Sequence, residues 1–151
     1  MTRSAVRDPN YEFRVRESFA RQQFMATLGA TLVHVEPGDV LIALPFHAKL
    51  TQQHDFLHAG VVASVLDSAC GYAALTLMDP GAGVMSVEFK VNLLAPAAGN
   101  RFVAHGRVVR SGRTLMVCQG ELRAVQDDGE VLVALMQGTM MTMRDRAGIA
   151  D

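Results

Sequence analysis

An α+β fold, an antiparallel sheet curled around one central helix, is the class this sequence predicts. Three observations point to it. Residues 59–78 are apolar on every side, with Asp67 as the one charge, so they read as a helix that must be covered all round. Two strand-like runs precede this segment and four follow it, separated by turn residues. Small residues at Ala63, Ser64, Ser68, Gly71, Ala73 and Ala74 would let a sheet approach the helix closely.

Taken in order, residues 11–28 predict an amphipathic helix with Phe13, Phe19, Phe24, Met25 and Leu28 inward, ended by Gly29. Runs 31–35 and 40–46 predict strands joined by Glu36-Pro37-Gly38-Asp39, and Val40, Ile42, Leu44 and Phe46 share one face. A polar connection, 47–58, leads into the long helix, which Asp79-Pro80-Gly81-Ala82-Gly83 stops. Strands are predicted at 84–93, 101–111, 114–125 and 130–143. The first alternates, with Met85, Val87, Phe89, Val91 and Leu93 toward the core and Ser86, Glu88, Lys90 and Asn92 on the other face. Turns fall at 96–100, at Ser111-Gly112 and at Asp127-Asp128-Gly129, where Asp-Gly is a favoured hairpin pair. No repeat, low-complexity tract or linker interrupts the pattern. A single domain over 1–151 is expected, with a core at about 28–143 and 1–27 as an N-terminal helical extension.

Composition narrows the class. The 151 residues suffice for a core, and 50% hydrophobic with 19% charged residues describes a globular chain. A net charge of -1 argues against nucleic acid as a partner. Cys70 and Cys118 lie in apolar segments without metal-ligand spacing, so neither a metal nor a disulfide framework is expected and a cytoplasmic location is. Arg3, Arg7, Arg14, Arg16 and Arg21 alternate with Asp8, Glu12 and Glu17, which reads as the solvated face of a surface helix and not a targeting peptide. Residues 59–78 are long enough to be weighed as a membrane span. Asp67 near the middle would cost about 2.5–3.5 kcal/mol on insertion, and the flanks lack a Lys/Arg bias. The helix is therefore read as buried in protein.

That burial makes Asp67 a candidate functional group, because an unpaired buried carboxylate is costly and often has a perturbed pKa. His58-Ala59-Gly60 stands just before the helix, whose N-terminus offers unpaired N–H groups to an oxyanion. The bland alternative is a structural carboxylate held by an arginine or a hydroxyl. His58 could serve as a base, but a cation beside a helix N-terminus is disfavoured, and a structural role is preferred. His34, His47 and His105 read as ordinary strand or surface residues, and the nine methionines as core filler. No Gly-x-Ser-x-Gly elbow is present, which excludes a serine hydrolase of that type.

The segment Gln52-Gln53-His54-Asp55-Phe56-Leu57-His58-Ala59-Gly60, with Asp67 nine residues after His58, resembles the helix start of the hotdog-fold acyl-CoA thioesterases of the phenylacetic-acid-degradation (PaaI) type. Gly83-Val84-Met85-Ser86-Val87-Glu88-Phe89-Lys90 and the residues to Pro96 resemble that family's next strand, and the order of elements agrees from about 28 to 143. The resemblance implies hydrolysis of an acyl-CoA to free acid and CoA, with CoA part of the substrate and no other cofactor. It implies Asp67 as general base or nucleophile, the N–H groups of Ala59 and Gly60 as oxyanion donors, and Gln52 or Gln53 as the positioning amide. It also implies Ser86 as partner of the carboxylate and His54 and His58 beside the site. Acid and oxyanion site come from different protomers in that family, so a homodimer, or a dimer-of-dimers tetramer, is implied. For the CoA phosphates the candidates are Arg110 and Arg113 on the 110–114 turn, then Lys90, against the alternative of a solvated hairpin tip. Asp55 stands where the family has glycine, and Ala59 replaces the first glycine of its His-Gly-Gly. Two other readings remain open: a dehydratase or hydratase on acyl thioesters, whose Asp-x-Asn-Pro-x-His motif is absent, and a non-catalytic acyl-CoA-binding module.

Overall fold

The computed structural model describes residues 6–151, so Arg3 lies outside the described residues. Helices α1 (Tyr11–Arg21) and α2 (Gln23–Leu28) are followed by strands β1 (Thr31–Glu36) and β2 (Asp39–Pro45). A 3-10 turn (Ala48–Leu50) precedes α3 (Ala59–Leu75), after which come β3 (Gly83–Leu93), β4 (Arg101–Ser111), β5 (Leu115–Gln126) and β6 (Gly129–Met143). The six strands form one antiparallel sheet in the order β1-β2-β4-β5-β6-β3. Alternation on the central strands decides which face meets α3: Phe102, Ala104, Met116, Cys118, Leu122, Met136 and Met140 turn inward and are almost fully buried. The partners from α3 are Val62, Val65, Leu66, Ala69, Cys70, Ala73 and Ala74. Burial pushes the Cys70 thiol upward and the Cys118 thiol to about 12, so both are inert core groups.

The close approach of sheet and helix falls elsewhere than expected. A Cβ at Gly106 of β4 would lie 2.3 Å from the carbonyl of Ala69, so the required glycine is on the sheet. Gly71, expected to serve that purpose, would place a Cβ with nothing within 4 Å. At the β1–β2 turn Gly38 has φ +76, as the second central residue of a turn opened by Pro37 requires. The β5–β6 loop is Asp127-Asp128, because Gly129 already pairs with Gln126; the expected Asp-Gly pair is shifted by one residue.

The N-terminal helix departs from its prediction in two ways. It breaks at Gln22, in extended conformation, and Gly29 caps the second piece at φ +70. Met25 and Leu28 are buried as expected, whereas Phe13 is 69% and Phe24 53% exposed. The buried stripe of α1 is Arg14, Val15 and Ser18. Arg14, read from sequence as solvated, donates to the carbonyls of Leu75, Met78 and Asp79 at 2.7–3.0 Å and pairs with Asp8 at 3.2 Å. Those carbonyls close α3 and the turn after it: Leu75 and Asp79 also accept from the N–H groups of Met78 and Ala82, and the buried guanidinium adds a second bond to each and one to Met78. Burial lowers the Arg14 pKa, opposed by the nearby Asp8 carboxylate.

β3 is an edge strand, and its pattern is split. A bulge between Ser86 and Glu88 shifts the register against β6. Before it Val84 packs on the core and Ser86 reaches α3; after it Val91 packs on the core and Leu93 lines a cavity beside α3. The uniform inward face predicted for 85–93 is therefore corrected. Met85, Val87, Phe89 and Leu93 are 43–56% exposed.

Candidate active site

Two cavities open along α3. The first, about 420 Å³, lies at its N-terminus and is bounded by Gln52, Phe56, Ala59, Val62, Leu93 and Leu94, among others. The second, about 360 Å³, lies at the middle of the helix and contains Asp67, Ser68, Gly71, Tyr72 and Ser86, with Ser18, Arg21 and Gln22 from the α1–α2 junction.

At the first cavity the chain before α3 is held by backbone bonds: the N–H of Leu57 donates to the Ala97 carbonyl at 3.1 Å and that of His58 to the Leu50 carbonyl at 2.9 Å. His58 is the N-cap, its Nδ1 accepting from the N–H of Gly60 at 2.8 Å. The imidazole of His58 thus closes the first turn of α3, and the N–H of Gly60, expected as a second oxyanion donor, is engaged with it in this structure. The N–H of Ala59, the first helical residue, has no hydrogen-bond partner among the described residues and lies at the cavity wall. Gln52 lines the same cavity, and its Oε1 accepts from the N–H of His54. Gln53 and His54 are exposed and outside that wall. Asp55 has φ +64, a left-handed conformation that aspartate tolerates better than most residues.

At the second cavity the Ser86 hydroxyl donates to Asp67 Oδ1 at 2.6 Å. The bulge that follows Ser86 lets that side chain face α3. Asp67 is only half-buried, not sealed in the core as its apolar neighbours suggested. The reason is that its side of α3 is covered by the α1–α2 junction and the sheet edge, which leave a space between them. Sequence reading missed the junction altogether. Its one legible signal was Ser18-x-x-Arg21-Gln22, polar residues at the end of an amphipathic stretch.

The proposed phosphate ligands are not gathered at either cavity. Lys90 donates to Asn92 Oδ1 at 2.5 Å in a groove on the outer face of the sheet, with Gln119 and Gln137. Arg110 is exposed. Arg113 joins Arg7, Arg144 and Asp79 around an open cavity of about 600 Å³ beyond the end of α3. There Arg144 bonds Asp79 at 2.7 and 2.9 Å and holds its carboxyl below the usual range. Among the described residues no cluster of His, Cys, Asp and Glu could hold a metal ion, and no helix is long and apolar enough to cross a membrane.

Residues 54–131 match the family model of the thioesterase superfamily. A solved thioesterase family protein from Silicibacter pomeroyi is 52% identical, with a TM-score of 0.87 over 88% of this chain and 98% of its own. The 1,4-dihydroxy-2-naphthoyl-CoA hydrolase of Listeria monocytogenes is 24% identical over 120 residues, 80% of this chain and 95% of its own. The PaaI protein of the phenylacetic acid degradation operon of E. coli shares the fold, with a TM-score of 0.79 at 20% identity over 93% of this chain and 96% of its own.

Proposed function

Because the chain belongs to the thioesterase superfamily and is a thioester hydrolase of the hotdog fold, we propose that it converts an acyl-CoA and water to a free acid and CoA, with Asp67 as its acid–base or nucleophilic group. One observation carries the two-copy form of this reading. Ala59 and Asp67 stand eight residues apart on one helix, about 12 Å at 1.5 Å per residue. A carbonyl carbon has to sit about 3 Å from both an oxyanion donor and the attacking group. One copy cannot place it so; two copies, each lending one cavity, can. β3 supports the pairing: an eleven-residue outer strand with Met85, Val87, Phe89 and Leu93 exposed is an edge suited to a second strand.

In that assembly the free N–H of Ala59 from one copy polarises the thioester carbonyl, aided by the positive end of α3. Gln52, which lines the same cavity, is the positioning amide in preference to Gln53. Asp67 of the other copy, oriented by Ser86, takes a proton from water as the water oxygen bonds to the carbonyl carbon. Collapse breaks the C–S bond, and the proton passes to the departing thiolate. Direct attack by Asp67 would give an anhydride that water then opens. The CoA hydrolase among the relatives supports CoA as the leaving group. Arg113, with Arg7 and Arg144, is the preferred place for its phosphates over Arg110 and Lys90. A cytoplasmic homodimer, or a tetramer of two such dimers, is the working form.

The test is thiol release across acyl-CoAs for the wild type and Asp67→Asn. The substitution is expected to lower kcat by roughly 10²–10⁴ with an unchanged circular dichroism spectrum. Full turnover by the variant would remove Asp67 from the mechanism. Tight binding of acyl-CoA by the wild type without thiol release would favour a binding module.

A further inference from the structure

The cavity around Asp67 has walls that come from beyond residues 54–131, the part that matches the family model. One is the α1–α2 junction and another is the segment that follows β6. This segment turns back at Asp145 (φ +53) and Gly148 (φ +78), closed by a bond from the N–H of Ile149 to the Arg146 carbonyl at 3.1 Å. Ile149 then lies on the first residue of β3: a Cβ at Gly83 would be 2.8 Å from its Cγ2 and 3.3 Å from its carbonyl. Two residues on, Asp151 reaches the junction. One oxygen of its carboxylate accepts from the Ser18 hydroxyl at 2.6 Å and from Arg21 at 3.3 Å. Ser18 is buried and the Asp151 side chain is 22% exposed, so the contact belongs to the cavity wall and not to open surface. The junction needs such a tie. Its helix breaks at Gln22, and beside the acid it meets α3 through a long hydrogen bond, from the Ser68 hydroxyl to Gln22 Oε1 at 3.4 Å, and an edge-on contact of Phe19 with Tyr72 at 5.6 Å.

Resting on the reading of Asp67 as the acid–base or nucleophilic group, we propose that residues 145–151 are a strap that braces its cavity, with Asp151 as a positioning residue. Through Ile149 the strap grips the strand that carries Ser86, the partner of Asp67; through Asp151 it grips the junction on the opposite side. It thereby fixes the distance between two walls that no sheet hydrogen bond joins. The strap touches no reacting atom. Its contribution is geometric, and a shift of about 1 Å at a reacting group can cost roughly 10² in rate.

The experiment compares the full chain with Asp151→Asn, Asp151→Lys and the charge swap that combines Arg21→Glu with Asp151→Lys. For each it measures Tm, kcat and KM for thiol release, and the rate of trypsin cleavage after Arg146, read by mass spectrometry. A protease takes a bond only as extended chain, so cleavage reports the undocked strap and needs no turnover. Asp151→Lys is expected to speed cleavage roughly tenfold and to lower kcat roughly tenfold, with KM within about twofold and Tm within about 2 °C of wild type. Asp151→Asn keeps an acceptor for Ser18 but not the charge for Arg21, and is expected to fall between. The charge swap is expected to restore most of both rates. Unchanged cleavage in Asp151→Lys, or faster cleavage with unchanged kcat, overturns the proposal. So does a kcat that falls only in step with Tm and is not recovered by the swap, which would make the segment ordinary stabilising structure. In each of those cases wild-type turnover leaves the hydrolytic reading standing. If the wild type releases no thiol from any acyl-CoA, that reading falls, and the bracing role with it.

Discussion

The two cavities on α3 are built from different materials. The first is walled by Phe56, Val62, Leu93, Leu94 and Val133 and offers a substrate little beyond the Ala59 N–H and the Gln52 side chain. The second is polar, with Asp67, Ser68 and Ser86 facing Ser18, Arg21 and Gln22. A helix N-terminus supplies an electrostatic donor without any side chain, so its surroundings can be apolar, and low polarity strengthens the donor. A carboxylate that has to exchange a proton needs hydrogen-bonding neighbours to hold it in place. The contrast separates the halves of one proposed reaction: polarisation at one cavity, proton handling at the other.

The sharpest way to break this comparison is to disable each half separately. Ala59→Pro removes the free N–H while suiting the first position of a helix, where proline is accepted. It is expected to cost about 2.7–4 kcal/mol of transition-state stabilisation, roughly 10²–10³ in kcat. Mixing Ala59→Pro with Asp67→Asn after denaturation and refolding together is expected to recover activity, since a mixed dimer holds one intact pair. Recovery near zero, with mixed dimers demonstrated by mass spectrometry, would put both halves in one chain. Next in size is Ser86→Ala, expected to lower kcat by roughly tenfold through loss of a hydrogen bond to a charged group, with KM little changed. An equal rise in KM would make Ser86 a substrate contact instead.

The smallest effect lies outside both cavities and serves as their control. Arg144 depresses the Asp79 pKa in the folded state. That contribution is complete above the unfolded value of about 3.9 and is lost as pH falls through the folded value. Asp79→Asn should therefore lower Tm slightly at neutral pH, and the difference from wild type should vanish in acid. Thermal melts between neutral pH and about pH 3 check this; a difference that grows in acid would contradict the ion pair.

The comparison also separates what local signals reveal from what they conceal. The helix start at Ala59 and the strand limits of β4 were legible to the residue, because caps, turns and alternation act within a few positions. The pairing of Asp67 with Ser86 was implied only by the resemblance to the PaaI-type thioesterases, and the structure joins the two side chains at 2.6 Å. The bulge after Ser86 was not legible, because register is decided by the partner strand β6 and leaves no mark in the period of β3 itself. Nor was the burial of Arg14, whose partners are carbonyls more than sixty residues away.

By itself, then, the sequence determined the order of elements, the all-round apolar helix with its single acid, and the short motif that marks the helix N-terminus. Those follow from hydrophobic period, backbone sterics and turn chemistry, which are properties of neighbours along the chain. Only the tertiary structure decided that Gly106, and not Gly71, meets the helix backbone. It alone decided that Gly60 donates to His58 while Ala59 keeps a free N–H, and that the α1–α2 junction walls the space beside Asp67. These outcomes depend on which distant surfaces come within van der Waals and hydrogen-bond range, a matter of three-dimensional packing that no one-dimensional period encodes.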